Sequence, residues 1–405
     1  MTRTVAELPE GSRITDYISI GVISKTFPLE KVKAILERTG KISQRQRELP
    51  AHVVIYYVLA LTLFMQVSYR EVLRCLLGGI EWLKMPGSTI KVTGKSGISQ
   101  ARTRLGSKPL KELHDEVVQP IARSNTKGAW YRKWHLVSLD GSTMETADNR
   151  ENEAAFGRPG ASRGKSGYPQ IRFVSLVENG THVLFGTELA DYHTAEAVLA
   201  RQVIPHLKAG MLCLADRSFF GFELWQKAQG TGADLLWRVK KNLVLPCYQR
   251  LPDGSYLSRI YASQHDWRRD TKGIEVRVIE YRLVGRGSPQ VYRVITTILS
   301  PEAAPATELA ALYGQRWEIE TALDELKTHL RGPRLQLRSK TPDLVRQEFY
   351  GLVMTHFAIR GLMHEAAMKG DVDSDKLSFV HAVRVVRRKL HHLGAFSPSA
   401  EESTA

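Results

Sequence analysis

The spacing of apolar residues changes twice along the chain. Up to about residue 130 they recur at helical intervals. Residues 27–39 (FPLEKVKAILERT) are two-faced, 109–122 read as a further helix, and 49–67 (LPAHVVIYYVLALTLFMQV) is apolar on every side. Ser68-Tyr69-Arg70-Glu71 has the serine-x-x-acid spacing of a capping box, which predicts a helix from there to about Leu83. The stretch at 49–67 is nearly long enough to cross a bilayer. Pro50 suits a helix N-terminus, and His52, Thr62 and Gln66 interrupt the apolar run, so a buried core helix is expected.

From Trp134 the period shortens. WHLVSL (134–139) is a strand ending at Asp140-Gly141-Ser142, and a polar, Arg- and Gly-rich loop covers 148–169. IRFVSLV (171–177) and HVLFGTEL (182–189) flank an Asn179-Gly180 pair, a strong hairpin signal. A helix is expected over 194–207, then a buried strand, MLCLA (211–215), ending at Asp216-Arg217-Ser218. A helix over 222–228 and a strand over 234–239 follow. This order predicts an α/β fold built on a mixed sheet. Between about 240 and 293, alternating runs and turns such as Pro252-Asp253-Gly254 read as a β-rich insertion. One more strand (292–299) precedes a helix from about Thr307. The segments 342–369 and 376–392 are helical again and end in a basic run of Arg384, Arg387, Arg388 and Lys389. The expected division is a helical domain over 1–130, an α/β domain over 131–340, and a helical, basic region over 341–405.

Composition narrows the partners. The 405 residues are 43% hydrophobic and carry a net charge of +15 spread along the chain, which points to a polyanion, most often nucleic acid. Three well-separated cysteines with no C-x-x-C exclude a disulfide scaffold or a cysteine zinc site, so a reducing cytoplasm is expected. The opening residues lack the apolar core of a secretory signal, and neither a signal peptide nor a membrane partner is expected. Gly-Lys-Ser occurs at 94–96 and 164–166, but Thr89 and Pro159 stand where a P-loop needs glycine, which removes nucleotide hydrolysis. The segment SGISQARTRL (96–105) offers Ser99, Gln100, Arg102 and Arg104 as groove-facing candidates for DNA.

The chemistry concentrates in LYGQRWEIETALDELKTHL (312–330). On a helix at about 100° per residue, Arg316, Glu320 and Lys327 fall within roughly 60° of Tyr313. Such a stripe reads either as a solvated face with an Arg316–Glu320 ion pair or as one side of a site. Asp140 and Asp216 favour the second reading, since each follows an apolar strand, at the edge where open α/β sheets place their sites. Three carboxylates can hold two divalent metals acting on a phosphodiester, with Arg316 and Lys327 available for phosphates.

LVSLDGST, LCLADRSFFGFELW and YGQRWEIETALDELK resemble the three acidic motifs of the DDE transposases. More narrowly they resemble insertion-sequence family four, whose signature Y-x2-R-x3-E-x6-K falls on Tyr313, Arg316, Glu320 and Lys327. The resemblance covers about 130–330, and 30–125 looks like the helical domain that often precedes this core. It implies a ribonuclease-H-like mixed sheet with a β-rich insertion, in which the first strand carries the first Asp, the fourth the second, and a later helix the Glu. Asp140, Asp216 and Glu320 would be catalytic metal ligands for Mg²⁺, with Mn²⁺ as a substitute. Tyr313, Arg316, Lys327 and Arg238 would contact the DNA backbone, and Tyr292 or Trp267 would stack a flipped base. The implied protein binds double-stranded DNA at its element's terminal inverted repeats, cleaves it, and joins it to target DNA as a homo-oligomer. The alternatives are a non-catalytic DNA-binding regulator and a nuclease of the same fold without strand transfer. Arg217-Ser218-Phe219-Phe220 is a variant of the second motif, and Asp324 and Asp148 are geometric rivals to Glu320 and Asp140.

Overall fold

The computed structural model describes residues 20–43, 49–78, 94–160, 167–282, 291–332 and 335–388. Six helices come first: α1 (Ile20–Thr26), α2 (Leu29–Arg38), α3 (Ala51–Leu63), α4 (Tyr69–Gly78), α5 (Lys95–Leu105) and α6 (Lys108–Val117). Strands β1 (Trp130–Tyr131) and β2 (Trp134–Glu145), helix α7 (Arg150–Phe156), and the hairpin β3 (Gln170–Glu178) and β4 (Val183–Asp191) follow. Then come α8 (Glu196–Val203), β5 (Met211–Ala215), α9 (Phe222–Gln229) and β6 (Asp234–Arg238). The expected insertion supplies β7 (Gln249–Arg250), β8 (Tyr256–Ile260), α10 (Gln264–Arg269) and β9 (Ile274–Arg282), before β10 (Val291–Thr296). The last helices are α11 (Ala306–Tyr313), α12 (Glu318–Asp324), α13 (Pro342–Gly370) and α14 (Phe379–Arg388).

The chain forms two compact units, one drawn from Met1–Gln119, Thr146–Asn152 and Asp324–Ala405, the other from Pro120–Glu145 and Glu153–Leu323. In the first, α3 is buried along its whole length from Val53 to Leu63, as its all-round apolarity requires. Among the described residues no helix is long and apolar enough to cross a membrane. The two helical ends of the chain, expected as separate regions, join in this unit because α13 lies against α3. A Cβ on Gly351 would sit 2.8 Å from Val58, and Thr62 and Thr355 share a hydroxyl contact of 2.8 Å. Glu325 is buried with Arg360 and with His356 at 3.1 Å. Arg387, from the basic run, donates to the Leu63 carbonyl at 2.9 Å, which caps the end of α3.

The second unit is organised by one sheet, in the order β4-β3-β2-β5-β6-β10-β9-β8-β7, with β1 paired to β2. β2, β5 and β6 are parallel, and β3 and β4 extend them as an antiparallel hairpin. This is the expected ribonuclease-H-like order, in which the fourth core strand (β5) leads into the second Asp. The insertion does not form its own sheet. β10 pairs with β6, and β9, β8 and β7 carry the sheet onward. Along β2, β5 and β6 the even-numbered residues Leu136, Leu214 and Leu236 meet Leu309, Leu312 and Tyr313 of α11. On the other face Trp225 of α9 meets Trp237 edge-on, with ring centroids 5.3 Å apart. The Asn179-Gly180 turn joins β3 to β4 as predicted. Gly180 has φ +77° and lies so close to Lys127 that a Cβ would sit 2.5 Å from its carbonyl oxygen.

Two local expectations fail for identifiable reasons. The polar segment after residue 148 starts as α7, whose first turn is fixed by Asn149 Oδ1 accepting from Asn152 N–H at 2.8 Å. Its basic part at 161–166 lies outside the described residues. The stretch from Thr307 is not one helix. α11 tightens into a 3-10 turn over Gly314–Trp317, α12 follows, and a π-helical turn covers Glu325–Leu330. A single wheel therefore misplaces the residues beyond its breaks.

Candidate active site

Register positions the site. Leu139 of β2 is level with Ala215 of β5, and Ala215 is level with Trp237 of β6. The residues that follow are Asp140, Asp216 and Arg238. β5 stops at Ala215, whereas β2 runs on to Glu145 because β3 pairs with it as far as Gln170. Asp140 is thus not a strand end, as its sequence suggested. It sits where its β5-side neighbour ends, which opens the crevice. Alternation turns Asp140, Asp216 and Arg238 to the face covered by α11.

The 3-10 turn after α11 brings Arg316 to this face. Its guanidinium donates to Asp140 Oδ2 at 3.1 Å and to Glu320 Oε1 at 3.3 Å, and so bridges two of the three expected acids. Arg238 stands 3.8 Å from Asp216 Oδ1 and lies over the Tyr292 ring at 4.6 Å. Tyr292 in turn stacks on Tyr281, with ring centroids 5.6 Å apart. The Tyr313 hydroxyl donates to the Ala215 carbonyl at 3.3 Å, and the residue is only 7% exposed. Its hydroxyl thereby holds the end of β5.

Burial pushes the Asp140 carboxyl up to about 6. The Gly141 N–H, which donates to its Oδ1 at 2.7 Å, and Arg316 pull the other way, while the Glu196 and Asp216 carboxylates add to the rise. Burial also opposes the charge of Arg316, but Tyr313, Asp140, Asp216 and Glu320 outweigh it and hold the guanidinium firmly protonated.

These residues fit a hard divalent cation. Asp216 Oδ1 is buried and accepts no hydrogen bond among the described residues; Arg238, 3.8 Å away, offsets its charge without donating to it, which leaves a lone pair for an ion. The nearby donors are carboxylate oxygens, a set that suits Mg²⁺ or Mn²⁺ and not the softer metals. Glu320, with 47% of its side chain exposed, has room to turn toward an ion.

Arg102 is corrected outright. It is 1% exposed and donates to Gln347, Ser339 and the Leu344 carbonyl at 3.0–3.2 Å, which makes it an internal tie and not a groove reader. Arg104, two residues on, is exposed. Lys327 falls in the π turn and in the other compact unit. Asp324 pairs with His329 at 3.2 Å, Asp148 is exposed, and Trp267 stands 43% exposed on α10. Two neighbours of the site went unread in the sequence: Tyr281, and Glu196 at the start of α8. Glu196 had a signal, since it heads the stripe Leu199, Ala200, Val203 that α8 buries.

The family described as transposase DDE domain matches residues 135–358, more than half of the chain. The chain belongs to the DDE transposase family. Residues 17–115 match the family described as insertion element 4 transposase N-terminal. Among relatives, the transposase InsG for insertion sequence element IS4 of Escherichia coli (strain K12) is 27% identical over 91% of this chain and 82% of its own length. The putative transposase InsZ of the same organism is 25% identical over 54% of this chain and 71% of its own. A piggyBac transposase synaptic complex with hairpin DNA aligns over 96% of this chain and 82% of its own, with a TM-score of 0.47 and 9% identity.

Proposed function

We propose that this chain is a DNA transposase that binds the terminal inverted repeats of its own insertion sequence, cleaves there with a divalent cation, and joins the freed 3′ ends to target DNA. One observation carries the reading: Asp140 and Asp216 directly follow Leu139 and Ala215, which are paired on adjacent parallel strands, and Arg316 ties Asp140 to Glu320. Asp140, Asp216 and Glu320 would hold the cation, Mg²⁺ or Mn²⁺. When bound, such ions activate an attacking oxygen and stabilise the leaving oxygen of a phosphodiester. Arg316 holds Asp140 and Glu320 toward each other. Arg238, level with Asp216 and backed by Tyr292, is set to take a phosphate oxygen, and Arg104 and Lys327 would add phosphate contacts. The net charge of +15 supplies the general attraction to DNA, on which sequence reading is superimposed. Holding two ends for joining calls for more than one copy of the chain, acting in the cytoplasm.

The test is a joining assay. Pre-cleaved terminal-repeat DNA and a target plasmid are mixed with protein and Mg²⁺. Joined products with the wild type and none with Asp216→Ala support a transposase. Cleavage of intact ends without joining would make it a nuclease, and end binding without either would make it a regulator.

A further inference from the structure

α8 presents Leu199, Ala200 and Val203 inward, and Glu196 heads that same stripe, one turn before Leu199. A carboxylate there stands at the edge of the buried stripe and is itself half-buried. It goes to Gly141: a Cβ on that residue would lie 2.9 Å from Glu196 Oε1 and Cδ and 3.0 Å from Cγ. The Glu196 carboxyl therefore occupies the space where any other residue at 141 would place its side chain. Gly141 has no positive φ that would itself demand glycine. The residue is small where a carboxylate crosses it.

The position matters because of where β5 ends. β5 stops at Ala215, so among the described residues no strand of the sheet pairs with β2 on that side at the level of Asp140. Asp140 and Asp216 approach it from the α11 side. Glu196 approaches from the α8 side, over a residue without a side chain. We infer that Glu196 is a fourth carboxylate of the cation site, reaching it past Gly141 from the opposite face of the sheet. The inference rests on the proposed cation site and adds a donor from α8. Gathering a further acid beside Asp140 without a cation would only add repulsion.

The test is Mn²⁺ binding by the full chain without DNA, read as the Mn²⁺ concentration that half-saturates the rise in melting temperature. Glu196→Gln keeps size and removes charge. Its half-saturation should rise by about ten-fold or more, with the metal-free melting temperature held or raised. A midpoint within about two-fold of wild type overturns the inference. So does a fall in the metal-free melting temperature with an unchanged midpoint, which would mark Glu196 as structural only. Should Glu196→Gln fail to fold, Gly141→Ala serves, because it keeps the glutamate but forces its carboxyl aside. It should raise the midpoint, and an unchanged midpoint overturns the inference. Loss of all Mn²⁺ response in the wild type would instead overturn the cation site itself, and the inference with it.

Discussion

Arg316 and Asp140 are 3.1 Å apart, and the guanidinium that joins them also reaches Glu320. One fork therefore holds together two acids that come from β2 and α12. Only arginine offers two planar donors in that geometry. Arg316→Lys should keep the charge but lose one partner, and Arg316→Ala should leave a largely buried carboxylate without its cation. We expect Arg316→Ala to lower stability by about 1–3 kcal/mol and Arg316→Lys by less, measured by urea unfolding at neutral pH. Equal stability of all three proteins would show that the fork is incidental.

Asp140 makes stability depend on pH in an unusual direction. Its folded value is about 6 against an ordinary 3.8, so between those values the folded protein binds more protons than the unfolded chain. Stability contributed by this group is present at low pH and lost as pH rises through that window. Asp140→Asn should therefore stabilise the metal-free protein at pH 7.5, on the order of 1 kcal/mol after the weakened Arg316 contact is counted. The gain should shrink as pH falls from 6 to 4. A gain that grows toward pH 4 would contradict the cause assigned to the shift.

Arg102 and Arg104 separate packing from DNA contact within one helix. Arg102→Ala should strip donors from Gln347, Ser339 and Leu344 and cost about 2–4 kcal/mol, seen as a lower midpoint in urea. Arg104→Ala should leave the midpoint unchanged and, if its guanidinium meets a phosphate, reduce the salt slope of DNA binding by about 1. Fluorescence anisotropy at several salt concentrations reads this directly.

Much of this is legible in the sequence. Local chemistry reported the capping box, where the Ser68 hydroxyl accepts from the Glu71 N–H at 3.2 Å, as well as the Asn179-Gly180 hairpin and the all-round burial of α3. What stayed hidden depends on partners distant in sequence. Nothing near Arg102 announces that Gln347 and Ser339 will surround it. Nothing in WHLVSLDGST says that β3 will extend β2 beyond Asp140 while β5 stops short. The 3-10 and π breaks around α12 are equally silent, since LYGQRWEIETALDELKTHL satisfies an unbroken helix on propensity alone.

Gly180 offers a check on the hairpin that fixes β3 against β2. Gly180→Ala would combine a positive φ with a Cβ 2.5 Å from the Lys127 carbonyl oxygen and 2.7 Å from the Ala129 nitrogen. The backbone on both sides must move. A loss of about 2–4 kcal/mol with an unchanged urea m-value is expected.

The central claim is that Asp140, Asp216 and Glu320 act as one cation site on DNA. It is tested most directly by following end binding and Mg²⁺-dependent cleavage on one labelled terminal-repeat duplex, with Asp140→Ala, Asp216→Ala, Glu320→Ala and Asp324→Ala beside the wild type. End binding is expected of all five proteins, with cleavage reduced by about a thousand-fold or more (roughly 4 kcal/mol of barrier) in the first three variants alone. Full cleavage by Glu320→Ala, with loss in Asp324→Ala, would contradict it.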